Sequence, residues 1–170
     1  MKLTRLLAPV AIAAVLAGGA WLAYGSLAHQ EKAPAVSYVL LDGVKHDSSQ
    51  WAGKVMLVNF WATSCTTCVA EMPQIIATHQ KFKGRGFDTV AVAMSYDPPA
   101  YVANFAESRK LPFGVAIDNT GEIAKQFGRV QLTPTTVVIN KRGEIVKRYV
   151  GAPDFAALHQ LLDQLLQESA

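Results

Sequence analysis

The chain has 170 residues, of which 51% are hydrophobic, so it can form one domain with a sizeable core and some additional sequence. All 13 acidic residues and 14 of the 16 basic residues lie beyond Ala28, and this part of the chain has a net charge of only +1. The short basic groups in residues 81–85 and 141–142 are typical of a helix C-terminus and an exposed hairpin. The charge distribution therefore argues against a nucleic-acid-binding protein.

The first 28 residues differ sharply from the rest. Lys2 and Arg5 precede residues 6–28, which contain no charge, and about 20 apolar residues suffice to cross a bilayer as a helix. A cleaved signal peptide would have an apolar region of only about 7–15 residues, although residues 26–28 could serve as its cleavage site. The sequence therefore predicts an uncleaved single-pass anchor that leaves the rest of the chain outside the cytoplasm. A soluble form after cleavage is the alternative.

Residues 29–35 are polar, contain a proline and predict a linker. Beyond the linker, strand-like and helix-like patterns alternate. The apolar run at 55–61 is continuous enough for a strand that is buried on both faces. The other predicted strands are 36–41, 88–95, 112–117, 135–140 and 144–150. The predicted helices are 66–83 with an interruption at Pro73, 98–110, 120–127, and a last helix that begins at Asp154.

This order of elements predicts an α/β domain. A series of strands and helices that ends in a hairpin and a helix indicates a mixed sheet with helices on both faces. In such a domain, functional sites lie in the loops at the carboxyl ends of the strands.

The chain has two cysteines, Cys65 and Cys68, just past the strand predicted at 55–61 and at the start of the next helix. Two intervening residues in a first helical turn can bring the Cα atoms to the roughly 5.5 Å that a disulfide needs. The free N–H groups and the positive dipole end of the helix stabilise a thiolate on Cys65, whereas Cys68 is more shielded. The pattern predicts that Cys65 attacks and that Cys68 resolves.

Other roles for the pair fit less well. A disulfide that closes so small a loop stabilises a fold little, and a zinc site usually needs four ligands. The four histidines are scattered, at positions 29, 46, 79 and 159. His79 falls near the helical face of Cys68 but about 16 Å along the axis at 1.5 Å per residue, which favours an ordinary surface histidine. Redox chemistry without a metal is the preferred interpretation.

The segment NFWATSCTTCVAEMP resembles the active-site segment of the thioredoxin superfamily, in particular the membrane-anchored TlpA/ResA-type thiol-disulfide reductases. The resemblance extends over residues 36–168. It includes Pro73, which bends the active-site helix in the family, and an inserted helix that matches 98–110. It also includes QLTPTTVVIN, where Pro134 matches the family's cis-proline. It implies a cis Thr133–Pro134 bond and backbone groups there that receive the substrate.

Two features depart from the common family pattern. Many members carry tryptophan before the first cysteine and proline between the cysteines, whereas this chain has Ser64 and Thr66-Thr67. The reacting groups remain, but the reduction potential and the partner surface differ. With no histidine between the cysteines to stabilise the thiolate strongly, the sequence favours a reductant over a strong oxidant.

Two further residues are candidates for the site. Glu71 lies three residues after Cys68 and hence on the same helical face. A carboxyl group held partly out of water has a raised pKa and could take the proton of Cys68. Position alone leaves a surface ion pair equally possible. The buried aspartate of cytoplasmic thioredoxin would fall at Asn59, which cannot act as a base, whereas the TlpA/ResA branch resembles this chain in having an acid at Glu71. Composition assigns Trp61 to the core, but its position near Cys65 makes it a candidate substrate contact.

The resemblance implies a thioredoxin-like domain over residues 36–170, in the periplasm and tethered to the bacterial inner membrane. We expect a protein-disulfide reductase that needs no cofactor beyond its dithiol and that a membrane electron donor keeps reduced. Its substrates would belong to cytochrome c maturation or copper-protein assembly. The alternatives are a thiol oxidase or isomerase of the same fold, or a copper chaperone that uses the two thiolates as soft ligands.

Overall fold

The computed structural model of the protein describes residues 31–169. Seven strands and four α-helices form this part of the chain. The strands are β1 (Ser37–Val39), β2 (Lys45–Asp47), β3 (Val55–Trp61), β4 (Phe87–Ala93), β5 (Gly114–Ile117), β6 (Thr135–Ile139) and β7 (Ile145–Val150). The helices are α1 (Thr66–Phe82), α2 (Pro99–Ser108), α3 (Glu122–Gln126) and α4 (Phe155–Gln167), and Ser48–Trp51 forms a 3-10 helix.

The central sheet is mixed and has the strand order β5-β4-β3-β6-β7. All seven residues of β3 are buried, because β3 pairs with parallel β4 on one side and with antiparallel β6 on the other. Leu57 and Trp61 belong to the core that also includes residues of α1, α2 and α4. Met56 and Phe60 belong to a second core, which includes residues of α3. This alternation along the strand confirms the predicted α/β architecture with helices on both faces of a mixed sheet.

Helix α1 carries the cysteine pair and buries one continuous stripe. Its buried residues recur at intervals of three and four, the spacing of one helical face: Cys68, Glu71, Met72, Ile75, Thr78, His79 and Phe82. The helix continues through Pro73, where the proline lacks the N–H that would bond to the carbonyl four residues earlier. The predicted interruption therefore does not divide the helix.

Most predicted elements are present, with ends that differ by a few residues. The predicted strand 36–41 is shortened to β1, and the predicted helix 98–110 is shortened to α2. Strand β2 was not predicted, because its three residues, Lys-His-Asp, contain no apolar side chain. It pairs with β1 as a small antiparallel sheet.

The register of the sheet brings three loops to one edge. Trp61, the last residue of β3, pairs with Ala93, the last residue of β4. Phe60 pairs with Thr135, the first residue of antiparallel β6. The loops after β3, after β4 and before β6 therefore meet at the carboxyl end of the central strand. The bond between Thr133 and Pro134 in the third of these loops is cis, as expected.

The predicted anchor in residues 1–28 lies outside the described residues, as do the first two residues of the predicted linker. Within residues 31–169, no helix has the length and apolar character to cross a membrane. The boundaries predicted for anchor, linker and domain stay predictions.

Candidate active site

The two cysteines lie at the start of α1 and form a disulfide. Their Cα atoms are 5.2 Å apart, within the ordinary range for such a bond. Cys65 is the N-cap residue, and its Sγ accepts a hydrogen bond of 3.1 Å from the backbone N–H of Cys68. Cys65 is partly exposed, whereas Cys68 is fully buried. An incoming group can therefore reach one sulfur atom and not the other.

The surroundings of Cys65 favour a thiolate moderately. The sulfur lies at the N-terminus of a 17-residue helix with no acidic residue in its first turn, so the helix dipole and a backbone N–H stabilise negative charge there. Thr66 and Thr67 are exposed and uncharged. No cation of the first turn adds to this stabilisation.

Glu71 is buried on the stripe of α1 that carries Cys68, with only 5% of its surface exposed. Burial raises its pKa to about 7, although the hydrogen bond from Asn59 opposes this rise. The Nδ2 of Asn59 donates to Glu71 Oε1 over 3.1 Å. Within residues 31–169, Glu71 Oε2 has no hydrogen-bond partner. The alternative prediction of a surface ion pair for Glu71 is wrong, because the carboxyl group is buried.

Asn59 connects the acid to the sheet. Its Nδ2 also donates to Thr136 Oγ1 over 3.0 Å, and the side chain is fully buried. Sequence reasoning identified Asn59 as a residue that cannot act as a base but missed that it holds the carboxyl group of Glu71. Asn59 lies two residues before Trp61 on β3, so both side chains share the face of the strand that packs against α1. This alternation is the signal that could have indicated the contact with Glu71.

The loop with the cis-proline has unpaired backbone groups. The carbonyl of Pro134 accepts from the N–H of Gly151 over 2.8 Å, and the carbonyl of Leu132 accepts from Thr135 Oγ1 over 2.7 Å. Between them, the backbone N–H and C=O of Thr133 have no hydrogen-bond partner among the described residues. These two groups can accept a partner from outside the chain.

Trp61 is fully buried, and its ring packs against that of Phe105 in α2 with the centroids 5.0 Å apart. A side chain with no exposed surface cannot contact a substrate directly. The burial contradicts the predicted substrate contact and favours the packing role that composition indicates.

The loop after β4 contributes two residues that sequence reasoning missed. Asp97 is buried, and its carboxylate accepts from the backbone N–H of Thr63 over 2.6 Å and from Thr63 Oγ1 over 2.5 Å. The hydroxyl group of Tyr96 and Thr133 Oγ1 share a hydrogen bond of 3.3 Å. This loop therefore contacts both the segment before Cys65 and the cis-proline segment. Such contacts between distant residues leave no periodic signal in the sequence.

His79 is buried rather than exposed, which corrects the prediction of a surface histidine. Its ring lies 5.4 Å from that of Phe113, and its Nδ1 shares a hydrogen bond of 3.1 Å with Thr89 Oγ1. Burial lowers its pKa. In the part of the chain that the structure describes, no three side chains of histidine, cysteine, aspartate or glutamate form a cluster that could hold a metal ion.

Comparisons with known proteins agree with this geometry. Residues 28–162 match the Redoxin family model. The thiol-disulfide oxidoreductase ResA of Bacillus cereus is 34% identical over 173 residues, which cover 97% of this chain and 99% of the relative.

Solved structures give the same assignment. The solution structure of a Neisseria meningitidis protein assigned to the thioredoxins is 41% identical and covers 83% of this chain and 93% of its own, with a TM-score of 0.76. The crystal structure of a thiol:disulfide interchange protein from Chlorobium tepidum is 28% identical and covers 82% of this chain and 98% of its own, with a TM-score of 0.75. The chain therefore belongs to the Redoxin family and, within it, to the thiol-disulfide oxidoreductases related to ResA.

Proposed function

We propose that the protein reduces disulfide bonds of other proteins, with Cys65 as the attacking thiol and Cys68 as the resolving thiol. The observation that carries this proposal is the difference in exposure between the two sulfur atoms. Cys65 is partly exposed at the helix N-terminus, whereas Cys68 is fully buried one turn further. A reaction that starts at Cys65 and ends at Cys68 follows from this difference.

In the first step, the thiolate of Cys65 attacks one sulfur of the substrate disulfide. A bond forms between Cys65 Sγ and that sulfur, and the substrate's own S–S bond breaks. The electron pair leaves with the second substrate sulfur, which takes a proton from water. The result is a mixed disulfide between enzyme and substrate.

In the second step, Cys68 must lose a proton inside the protein. Glu71 lies three positions further on the same buried stripe, and its pKa of about 7 matches a group that accepts a proton near neutral pH. The thiolate of Cys68 then attacks Cys65 Sγ, and the bond between Cys65 Sγ and the substrate sulfur breaks. The electron pair leaves with that sulfur, which takes a proton from water. The substrate leaves as a dithiol, and the enzyme keeps the Cys65–Cys68 disulfide.

The unpaired backbone groups of Thr133 support a role of the cis-proline loop in holding the substrate. An extended chain next to this loop could donate to the free C=O and accept from the free N–H, as an added strand does. Thr133 and Pro134 would thus hold the substrate disulfide beside Cys65.

The direction of the reaction and the location are parts of the same proposal. The uncharged Thr66 and Thr67 support a reductant, which a membrane electron donor would keep reduced. The apolar segment at 6–28 supports a location outside the cytoplasm on a membrane anchor. The expected substrates, proteins of cytochrome c maturation or copper-protein assembly, stay a prediction. Among residues 31–169, no three potential ligands form a cluster that could hold a metal ion, and the copper chaperone is not proposed.

A trapping experiment tests the two thiol roles and identifies substrates. Cys68→Ser, expressed in the native host, should accumulate as higher-mass species that collapse when reductant is added, because the mixed disulfide cannot be resolved. Cys65→Ser should give almost none, since the remaining thiol is buried. Fractionation of the same cells should recover the intact chain with the membranes after an alkaline wash.

Equal trapping by the two variants would show that the roles of the cysteines are wrongly assigned. Recovery of a shortened, soluble chain would show cleavage instead of anchoring. The trapped polypeptides would also decide between the two predicted classes of substrate.

A further inference from the structure

Two large apolar side chains are exposed next to Thr133. Tyr96, from the loop after β4, is 58% exposed, and Leu132, the residue before Thr133, is 65% exposed. Single exposed apolar residues are common on protein surfaces. Here, however, both lie in the loops that meet at the carboxyl end of β3, and the Tyr96 hydroxyl shares a hydrogen bond with Thr133.

Local hydrogen bonds support the backbone beside both side chains. Next to Tyr96, the buried Asp97 accepts two hydrogen bonds from Thr63. The carbonyl of Leu132 accepts from Thr135 Oγ1. A surface that is ordered before a ligand arrives loses less conformational entropy on binding.

We propose that Tyr96 and Leu132 form an apolar rim that selects substrate segments with a large apolar residue next to the reacting cysteine. This inference rests on the proposed function, because it assigns a specificity to the same site. The occupant is an extended segment of the substrate polypeptide, bound at the unpaired backbone groups of Thr133. Tyr96 is the new element, since it comes from a different loop than the cis-proline.

The backbone geometry explains how such a rim can select. Successive side chains of an extended chain point to opposite sides. A segment that pairs with Thr133 and turns its cysteine to Cys65 would therefore turn both neighbours of that cysteine to the other side, to which we assign the rim, while its backbone supplies affinity independent of sequence. Leu132 also lines a cleft of about 230 Å³ together with Val150, which is itself largely exposed. Arg129 and Arg148 line the same cleft, so its surface is mixed rather than purely apolar.

The test compares two peptides that each contain one disulfide and differ only in the residues next to one cysteine, leucine in the first and serine in the second. Stopped-flow fluorescence gives the second-order rate constant for each peptide with the full, pre-reduced chain. The wild-type protein should prefer the leucine peptide by about five- to tenfold, the effect of burying part of one apolar side chain. Tyr96→Ser and Leu132→Ser should each reduce this preference. Tyr96→Phe should retain it, because the ring remains.

Tyr101→Ser is the matched control, since Tyr101 is a similarly exposed tyrosine, at 65%, on α2. It should leave the preference unchanged. The inference is overturned if Tyr96→Ser and Leu132→Ser keep the wild-type preference, if Tyr101→Ser lowers it equally, or if the wild type shows none. A small aromatic disulfide separates this result from a failure of the proposed function. A wild-type protein that reduces neither the peptides nor the small disulfide would contradict the function itself.

Discussion

At the scale of single residues, Glu71 combines a cost in stability with a use in catalysis. A carboxyl group buried beside Asn59 is easier to keep protonated than ionised, so its pKa rises to about 7. A glutamate at the protein surface would be ionised at neutral pH and poor at accepting a proton. The buried position therefore gives the resolving step a base of suitable strength.

The raised pKa makes stability depend on pH. Between the ordinary value of 4.5 and about 7, the unfolded chain loses this proton while the folded chain keeps it. The contribution of Glu71 to the free energy of unfolding is thus complete below pH 4.5 and is lost as the pH rises through about 7. The loss is on the order of 3 kcal/mol. Denaturant titrations at pH 4 and pH 8 measure the free energy of unfolding of Glu71→Gln relative to wild type. This difference should shift in favour of Glu71→Gln by that amount at the higher pH.

Glu71→Gln should also slow the release of substrate from the mixed disulfide at neutral pH, because Cys68 loses its base. Glu107→Gln, in an exposed residue of α2, is the control and should change neither quantity. If the stability difference between Glu71→Gln and wild type were the same at both pH values, Glu71 would not titrate as a buried group. Unchanged release from about pH 5 to 9 would remove Glu71 from the mechanism.

At the scale of elements, the loop after β4 links the other two loops of the site. Asp97 holds Thr63, two residues before Cys65, and Tyr96 contacts Thr133. A buried carboxylate that accepts two short hydrogen bonds fixes its donors firmly, since hydrogen bonds to charged groups contribute about 1.5–3 kcal/mol each. We interpret Asp97 as a positioning residue for the segment that leads to Cys65.

Asp97→Ala should therefore lower the free energy of unfolding by on the order of 2–4 kcal/mol and slow the reaction of Cys65 with an alkylating reagent. Asp97→Asn keeps one acceptor oxygen, so its free energy of unfolding and its rate of Cys65 alkylation should both fall less. Asp163→Ala serves as control, because its carboxylate pairs with Arg85 at the surface, where ion pairs contribute about 0–1 kcal/mol. Equal losses in Asp97→Ala and Asp163→Ala would be incompatible with a positioning role.

The elements differ in how far the sequence predicts them. The continuous apolar run of β3 and the stripe of α1 are local signals, and both elements lie where they are expected. The stripe also contained the signal for His79, which is spaced like Met72 and Ile75 and is buried with them. Strand β2 has no such signal, because its polar residues are half exposed or exposed and it is ordered by pairing with β1.

At the scale of the whole molecule, the site depends on how the sheet is assembled. The sequence predicts Cys65, Cys68 and Glu71 because they lie within seven residues of one helix start. The partners Asn59 and Asp97 come from two different strands or the loops that follow them, and only the parallel pairing of β3 with β4 places these segments at one edge. The pairing of distant strands therefore determines these partners of the site, and local sequence patterns do not reveal them.

The central claim, that the protein is a reductant, depends on how strongly the fold stabilises the Cys65 thiolate. The helix N-terminus and one N–H stabilise this thiolate, but Thr66 and Thr67 carry no charge. The reduced form is therefore stabilised less than in strong oxidants. Equilibration of the full chain with dithiothreitol or glutathione buffers measures the reduction potential directly. We predict a value below about −200 mV, nearer to the roughly −270 mV of thioredoxin than to the roughly −120 mV of a strong oxidant. A value above about −150 mV would contradict the assignment as a reductase and favour the thiol oxidase.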